Sequence, residues 1–255
     1  MRRITLVLAP AILTSIFNVA ALSAADASWD IKGLELKKPA DKEDAKTTPA
    51  PKGAVILFDG KSLDSWTGKD GSSPVKWKLV DGGACQVSGG DILSKHQLSG
   101  DFKLHVEFRV PYMPTEKGQA RGNSGVYVQG RYEVQVLDSY GIEKPETGDC
   151  GGIYSVEPPS VNAGKAPTIW QSYDIEFHSP KFENGKKTEP ARMTVTWNGV
   201  KVHDNTKVNT DNTTAGLGGD PSKPGPLMLQ DHGSPVQYRN IWIAPLEAPT
   251  GEGKK

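Results

Sequence analysis

The feature that most constrains the fold of this chain is the alternation of apolar and polar residues along short segments. In residues 101–110 every second residue is apolar, from Phe102 to Val110. The residues between them are polar or charged, namely Lys103, His105, Glu107 and Arg109. Side chains two apart on a strand point to the same face, so this segment is predicted to be a half-buried β-strand.

Similar segments recur along the chain and are separated by turn residues. Further strands are predicted over 124–129, 131–137, 171–179, 191–197, 200–203, 226–230 and 236–244. Gly130 and the pair Asn198-Gly199 lie between adjacent segments and favour hairpins, the second with a type I′ turn. The only helix expected is a short one near 62–66. Many short strands between turn residues predict an all-β, antiparallel sandwich or jelly roll.

The patterned region indicates one domain over residues 54–246, in a chain of 255 residues. Within the preceding residues 26–53, residues 37–52 are rich in Lys, Pro, Asp, Glu and Thr and nearly devoid of apolar residues. Such a composition cannot bury enough surface to offset ordering entropy, so a flexible linker is expected. Residues 247–255 are expected to be a flexible tail.

Residues 1–25 have the pattern of a secretory signal peptide. Arg2 and Arg3 are followed by an apolar stretch over residues 4–22, and Ser23, Ala24 and Ala25 supply a small-residue cleavage site. A membrane anchor is the alternative, but the stretch is short and has no basic residues behind it. An exported protein, periplasmic or extracellular and without a membrane span after cleavage, is therefore expected.

Charge and cysteine content narrow the classes of partner. Lys and Arg total 30, as do Asp and Glu, so the formal net charge is zero. That balance argues against a nucleic-acid binder or a polybasic membrane surface. Export would permit a disulfide between Cys85 and Cys150, yet two buried thiols are an equally good interpretation.

The polar face of residues 171–179 is the first candidate for chemistry. Asp174, Glu176 and His178 alternate with Tyr173, Ile175 and Phe177, so the ionisable side chains share one face. Three ionisable groups in a row could exchange protons or hold a metal ion. The alternative is an ordinary solvated outer face, which antiparallel sheets often have.

Other strands carry the same mixture of acids, amides and imidazoles. Pairs two residues apart are Glu107 with Arg109, Glu133 with Gln135, and Gln230 with His232. These side-chain types bind sugar hydroxyls or transfer protons. If the strands are neighbours in one sheet, their polar faces merge into a single carbohydrate-binding platform.

These motifs, taken in order, resemble the 3-keto-disaccharide hydrolase domain family, also described as 3-keto-glucoside lyase and 3-keto-glucal hydratase. The matching stretches include LFDGKSL from residue 57, DFKLHVEFR from 101, NSGVYVQ from 123, YEVQVLD from 132, CGGIY from 150, WQSYDIEFH from 170 and LQDHG from 229. They span essentially all of residues 54–246. The resemblance implies a concanavalin A-like sandwich with a concave polar sheet that faces sugar, and no nucleic-acid partner.

The chemistry of 3-keto-glycoside cleavage predicts roles for several of these side chains. The ketone acidifies the C2 proton, a base removes it, the C1 substituent leaves and water adds back. His178, oriented by Glu176 and Asp174, is the predicted base or a ligand of a divalent metal, and His232 is the second acid or base. Substrate-binding residues are predicted to be Glu107, Arg109, Asn123, Gln129, Glu133, Gln135 and Gln230.

Two alternatives remain open at this point. An ordinary glycosidase needs a pair of carboxylates, for which Glu133 and Glu176 are the candidates. A glycan-binding module of the same fold would need no catalyst.

Overall fold

The computed structural model describes residues 27–246. The predicted signal peptide, 1–25, and tail, 247–255, lie outside the described residues. Within them are fifteen strands and two short 3-10 helices, Pro39–Lys42 and Gly118–Ala120. The strands are β1 Val55–Phe58, β2 Trp66–Gly68, β3 Lys78–Val80, β4 Ala84–Gln86, β5 Ile92–Leu98, β6 Phe102–Arg109, β7 Ser124–Val128, β8 Tyr132–Val136, β9 Gln171–His178, β10 Lys181–Glu183, β11 Lys186–Glu189, β12 Ala191–Trp197, β13 Val200–Val208, β14 Gly225–Leu229 and β15 Gln237–Pro245.

Two antiparallel sheets form the fold, which confirms the all-β sandwich. The larger, eight-stranded sheet has the order β13-β12-β9-β6-β15-β4-β3, and β1 also pairs with β15. The five-stranded sheet has the order β2-β5-β14-β7-β8. Strands β10 and β11 form a separate hairpin. Strands β6 and β9 therefore belong to one sheet, and β7, β8 and β14 to the other.

The core fills the space between the two sheets. Apolar residues of β6 and β9 pack against those of β7 and β8, and the rings of Tyr132 and Phe177 lie 5.5 Å apart across the interface. Buried hydroxyls also connect the sheets: Tyr173 donates to the carbonyl of Gln135 at 2.6 Å. Each alternating strand thus buries its apolar face and presents its polar face outward.

Local turn chemistry follows the sequence at the hairpins but not at the predicted helix. Asn198 and Gly199 have φ angles of 51° and 82°, as the type I′ turn between β12 and β13 requires. Residues 62–66 form a turn that leads into β2, so the short helix predicted there was wrong. Trp66 begins a strand because its indole is buried and donates to the carbonyl of Leu57 at 2.8 Å.

Residues 27–53 lie along the outer face of the eight-stranded sheet, although their composition predicts a linker. The carboxylate of Asp44 accepts a hydrogen bond from the backbone N–H of Trp170 at 3.0 Å, and Ala45 donates to the Trp170 carbonyl at 2.8 Å. The carbonyl of Thr48 accepts from Asn240 and Trp242. These contacts use backbone and polar groups, so hydrophobic patterning does not reveal them.

Both cysteines are buried free thiols. The Sγ of Cys150 lies 3.1 Å from the hydroxyl of Tyr173, and that of Cys85 lies 3.7 Å from the carbonyl of Tyr238. Of the two interpretations left open by the sequence, the structure has the unbridged one. No helix within residues 27–246 has the length and apolarity needed to cross a bilayer.

Prediction for the sheet interface. Tyr238 donates to Ser124 Oγ at 2.7 Å across the core, and Ser124 donates to the carbonyl of Gln230 at 2.6 Å. Tyr238→Phe should lower the free energy of unfolding by about 1–2 kcal/mol, because Ser124 loses a buried partner. Urea denaturation of Tyr238→Phe, Ser124→Ala and the double variant should show a double loss smaller than the sum. Strictly additive losses would contradict the coupling.

Candidate active site

A small pocket opens on the outer face of the five-stranded sheet, on the side away from the core. Its volume is about 120 Å³. This is below the roughly 300–1,000 Å³ of drug-sized ligand sites, so it can enclose about one ring and leaves a larger ligand partly outside. The lining side chains are mostly amides, phenols and ionisable groups: Gln119, Asn123, Tyr127, Glu133, Gln135, Tyr154, Thr214, Ala215, Gln230 and His232.

The β7–β8 hairpin places Glu133 in this pocket. The register sets Tyr127 opposite Glu133 and Gly125 opposite Gln135, so these side chains share the outer face. A methyl group added at Gly125 would collide with Oε1 of Glu133 and would lie 2.7 Å from the ring of Tyr127. Glycine at position 125 therefore provides the space in which the carboxyl group lies.

Glu133 is the carboxylic acid of the pocket, and its pKa is strongly perturbed. It is only 2% exposed. Burial raises its pKa from the ordinary 4.5 to about 7; a hydrogen bond with Tyr127 opposes this shift, and the nearby charge of Asp91 adds to it. At neutral pH both the protonated and the ionised form of this carboxyl group are populated. A general acid–base group, which accepts a proton and later returns it, needs both forms.

Apolar side chains exclude water from the surroundings of Glu133. Tyr127, Leu93 and Met228 form a separate buried cluster on the outer face of the five-stranded sheet. The hydroxyl of Tyr127 accepts a hydrogen bond from Gln230 Nε2 at 3.0 Å. Burial raises the pKa of Tyr127 and the negative charge of Glu133 raises it further, so this phenol stays protonated and can donate to the carboxylate.

His232 lies at the exposed edge of the pocket, in a loop held by its neighbour Asp231. The backbone N–H of Asp231 donates to Asp91 Oδ1 at 2.8 Å, and its carboxylate accepts from the N–H of Gly90 at 2.7 Å. Asp231 is thus a structural residue that fixes the loop. The imidazole of His232 remains at the opening, where it can exchange protons with solvent.

A second polar cluster occupies the outer face of the opposite sheet. His105 lies between Asp174, at 3.1 Å from Nδ1, and Glu107, at 3.5 Å from Nε2. Arg239 and Asn240 donate to Glu107 at 2.7 and 2.8 Å. These two side chains reach Glu107 because a bulge in β15, with Asn240 at φ 46°, locally changes the register.

This second cluster consists of compensated charges. Burial acts against charge on His105, yet its hydrogen bonds to Asp174 and Glu107 raise its pKa above 6.5. Burial would raise the pKa of Glu107, but the donors His105, Asn240 and Arg239 lower it to about 2. The ring of Trp242 stacks on His105 at 5.1 Å. The cluster is a structural network whose charged groups are paired by hydrogen bonds, and it lies beneath the described residues that precede β1.

The three polar residues of β9 do not form a joint site. Asp174 belongs to the network around His105 and also contacts Lys103 at 3.3 Å. Glu176 is exposed, and His178 Nδ1 contacts Asp101 at 2.7 Å. Residues 27–246 contain no group of three His, Cys, Asp or Glu side chains arranged to hold a metal ion. The expected single platform was wrong, because β9 and β8 lie in different sheets.

Two other predicted binding residues also lie outside the pocket. The guanidinium of Arg109 is 4.7 Å from the rings of both Trp29 and Trp170, and it donates to Gln237 at 2.8 Å. Gln129 lies in the β7–β8 turn, where its amide donates to Ser179 Oγ at 3.0 Å. Both side chains have structural partners that account for their positions.

The structure brings together the predicted residues Asn123, Glu133, Gln135, Gln230 and His232. Sequence reasoning missed Gln119, Tyr127 and Tyr154. Tyr127 could have been found, because a hairpin centred on Gly130 sets it opposite Glu133. Gln119 and Tyr154 come from segments outside the strands, where no periodicity predicts their position.

Comparison with known proteins gives relatives of this chain and supports its fold. Residues 53–244 match the family model of the 3-keto-alpha-glucoside-1,2-lyase-like domain. A Bacteroides thetaiotaomicron protein named 3-keto-disaccharide hydrolase is 25% identical over 76% of this chain and 79% of its own. A crystal structure from Parabacteroides distasonis, of a protein inferred to be a glycosyl hydrolase, has 38% identity and a TM-score of 0.69 over 78% of this chain and 86% of that one. A second structure from that organism, under the same description, has 21% identity and a TM-score of 0.55 over 76% and 94%, and supports the fold alone.

Prediction for the buried acid. The pKa of Glu133 is about 7 in the folded protein and an ordinary 4.5 in the unfolded chain. Between pH 4.5 and 7 the folded state therefore holds a proton that the unfolded state has released. The free energy of unfolding should therefore fall as pH rises from 4.5 to 7, by up to about 3 kcal/mol. Glu133→Gln cannot ionise, so its stability relative to the wild type should increase across the same window.

Chemical denaturation at several pH values measures this difference. The exposed Glu176 offers a matched control, since Glu176→Gln should leave the pH profile unchanged. A stability difference between Glu133→Gln and the wild type that stays constant from pH 4.5 to 8 would contradict a desolvated carboxyl group.

Proposed function

Because the chain belongs to the 3-keto-alpha-glucoside-1,2-lyase-like domain family, we propose that it cleaves the glycosidic bond of 3-keto-glycosides, with Glu133 as its acid–base group. The observation that carries this proposal is a buried carboxyl group with a pKa of about 7 in a pocket lined by amides and phenols. A base with a pKa near the working pH is best suited to remove a weakly acidic carbon-bound proton and to return it.

The proposed reaction begins at C2 of the oxidised sugar. The carboxylate of Glu133 takes the C2 proton, and the electron pair of that C–H bond moves into the ketone to give an enolate. The enolate re-forms the ketone as the C2–C1 double bond forms and the C1–O bond breaks. The departing oxygen takes a proton, for which His232 at the opening is the proposed donor. Water then adds to the resulting glucal at C1 while C2 regains a proton, which completes net hydrolysis.

The composition of the pocket favours this elimination over an ordinary glycosidase mechanism. Retaining and inverting glycosidases use two carboxyl groups about 5–9.5 Å apart. Among the described residues that line the pocket, Glu133 is the only carboxylate. Glu176, the partner considered from the sequence, lies on the outer face of the other sheet and cannot reach the same bond.

The pocket also supplies stabilisation for the enolate. Gln230 presents amide N–H groups next to Tyr127, whose proton is directed to Glu133. Donors fixed in a water-poor site stabilise a developing oxyanion without reorganisation. Tyr154 and Thr214 form part of the remaining wall, where a ring can pack against them.

Prediction for catalysis. Glu133→Gln keeps the shape of the side chain but removes the base, so turnover of an aryl 3-keto-α-glucoside should fall by at least about 100-fold. His232→Ala should reduce turnover by a smaller factor, because solvent can replace a proton donor at the opening. His178→Ala, on the other sheet, is the matched control and should retain wild-type turnover.

A deuterium label at C2 distinguishes the proposed elimination from a cleavage that leaves C2 unchanged. Substrate with deuterium at C2 should react more slowly than the protonated substrate, and the product should lose the label to water. Turnover without any change at C2 would contradict the elimination, and wild-type protein that binds the sugar without converting it would identify a glycan-binding module instead. Loss of activity in His178→Ala comparable to that in Glu133→Gln would overturn the assignment of the pocket.

A further inference from the structure

Three side-chain amides in the pocket form a connected network around Gln119. The Nε2 of Gln119 donates to the carbonyl of Gly148 at 2.8 Å. Its Oε1 accepts from Asn123 Nδ2 and from Gln135 Nε2, both at 3.1 Å. Asn123 Nδ2 also donates to the carbonyl of Gln119 at 2.7 Å, and Gln135 Nε2 to that of Gly148 at 3.3 Å.

Backbone carbonyls fix the orientation of every amide in this network. A carbonyl oxygen can only accept, so the nitrogens of Gln119 and Gln135 must face Gly148, and that of Asn123 must face the carbonyl of Gln119. A flipped amide would place two acceptors against each other. The nitrogens of Asn123 and Gln135 are thus committed to the protein, and their oxygens are directed elsewhere.

Those two oxygens have no donor among residues 27–246. Asn123 and Gln135 are each only 1% exposed, and Asn123 Oδ1 and Gln135 Oε1 are buried atoms without a hydrogen-bond partner. A buried acceptor left unsatisfied is costly, and such groups are rare in folded proteins. Both residues line the same pocket, so a ligand that occupies it lies beside them.

We infer that Asn123 and Gln135 select a sugar by accepting hydrogen bonds from two of its hydroxyl groups, and that Gln119 is the positioning residue that directs both acceptors. The inference rests on the proposed function for the identity of the ligand, but it concerns binding. A ketone cannot donate, so the oxidised carbon of the sugar faces away from this pair. Gln230 lines the same pocket, and the amide N–H that it does not give to Tyr127 is a donor for this carbonyl.

Specificity would follow from this arrangement. Unlike an apolar pocket, a site with two committed acceptors discriminates strongly against an analogue that lacks the donor, because the acceptor then stays unpaired. A hydroxyl replaced by fluorine keeps its size and its acceptor character but cannot donate. Deoxyfluoro sugars are therefore suitable probes.

Calorimetry measures the binding of methyl α-glucoside and of its 4-deoxy-4-fluoro and 6-deoxy-6-fluoro analogues to the wild-type protein. The corresponding 3-keto-glucosides are measured on Glu133→Gln, which is expected not to convert them. Loss of a recognised hydroxyl should weaken binding by about tenfold. In Asn123→Leu and Gln135→Met, which lack the acceptors, parent and fluoro sugars should bind with similar affinities.

Gln119 provides the test of positioning. Gln119→Met removes the three hydrogen bonds of the Gln119 side chain and leaves Asn123 and Gln135 with one backbone acceptor each, so the discrimination between parent and fluoro sugars should fall. Gln119→Glu keeps an oxygen that accepts from Asn123 and Gln135, but its second oxygen faces the carbonyl of Gly148 and can donate to it only when protonated, so the discrimination should return at low pH and weaken at high pH. The exposed Gln97 lies outside the pocket, and Gln97→Met is the matched control for a glutamine-to-methionine change.

The outcomes separate this inference from the proposed function. Fluoro analogues that bind the wild type as well as their parents do would overturn the inference, even if the protein converts 3-keto-glucosides. Hydroxyl-dependent binding without any turnover would support the inference and contradict the enzyme assignment. Absence of binding for all glucosides and keto-glucosides would overturn both. Discrimination that survives in Gln119→Met would remove the positioning role from Gln119.

Discussion

The structure depends on one constraint, that every long strand must bury one face between the two sheets. Phe108 and Tyr173 of one sheet and Val126 and Tyr132 of the other fill this interior. The other face of each strand then points outward, in opposite directions for the two sheets. Polar side chains with the same alternation therefore fall into two groups on opposite sides of the molecule, and one of these groups surrounds the pocket that contains Glu133.

Glu107 and Glu133 show what separates a structural acid from a reactive one. Each is 2% exposed and lies on the outer face of its sheet. The pKa of Glu107 falls to about 2 because His105, Asn240 and Arg239 donate to it. That of Glu133 rises to about 7 because burial raises it and its one hydrogen bond, with Tyr127, does not offset this, while Asp91 adds negative charge. Burial alone raises the pKa of a carboxyl group, and the donors to Glu107 reverse that direction.

The positions of eight of the fifteen strands, the hairpin at Asn198-Gly199 and the outward faces of those strands could be predicted from the sequence, because each depends on residues close together in the chain; β1–β5, β10 and β11 were missed. Strand pairing could not, because it is set by contacts between distant segments. Asp174 and His178 illustrate the difference. Their shared face was predicted correctly, but the partners that make Asp174 structural, above all His105, are contributed by a neighbouring strand.

The same limit explains why the candidate site was recovered only in part. Glu133 and Gln135 share a face of β8 and could be predicted together, whereas their environment is made by Tyr127, Gly125 and Gln119 from other segments. Gly125 gave no signal, because its role is the absence of a side chain where the carboxyl group lies. Glycine in a strand marks a close approach only once the facing residue is known.

The spacing along β8 connects the proposed chemistry to the proposed specificity. Residues two apart on a strand are about 6.6 Å apart along its axis, a distance comparable to the width of one sugar ring with its substituents. A ring whose hydroxyl is held by Gln135 therefore extends toward Glu133 on the same face. In the proposed binding mode Gln119 fixes the amide that holds the hydroxyl and Gly125 leaves room for the carboxyl group, so a single strand would position both ends of the ring. A rigid strand that carries both groups can align the C2 proton with its base without a conformational change.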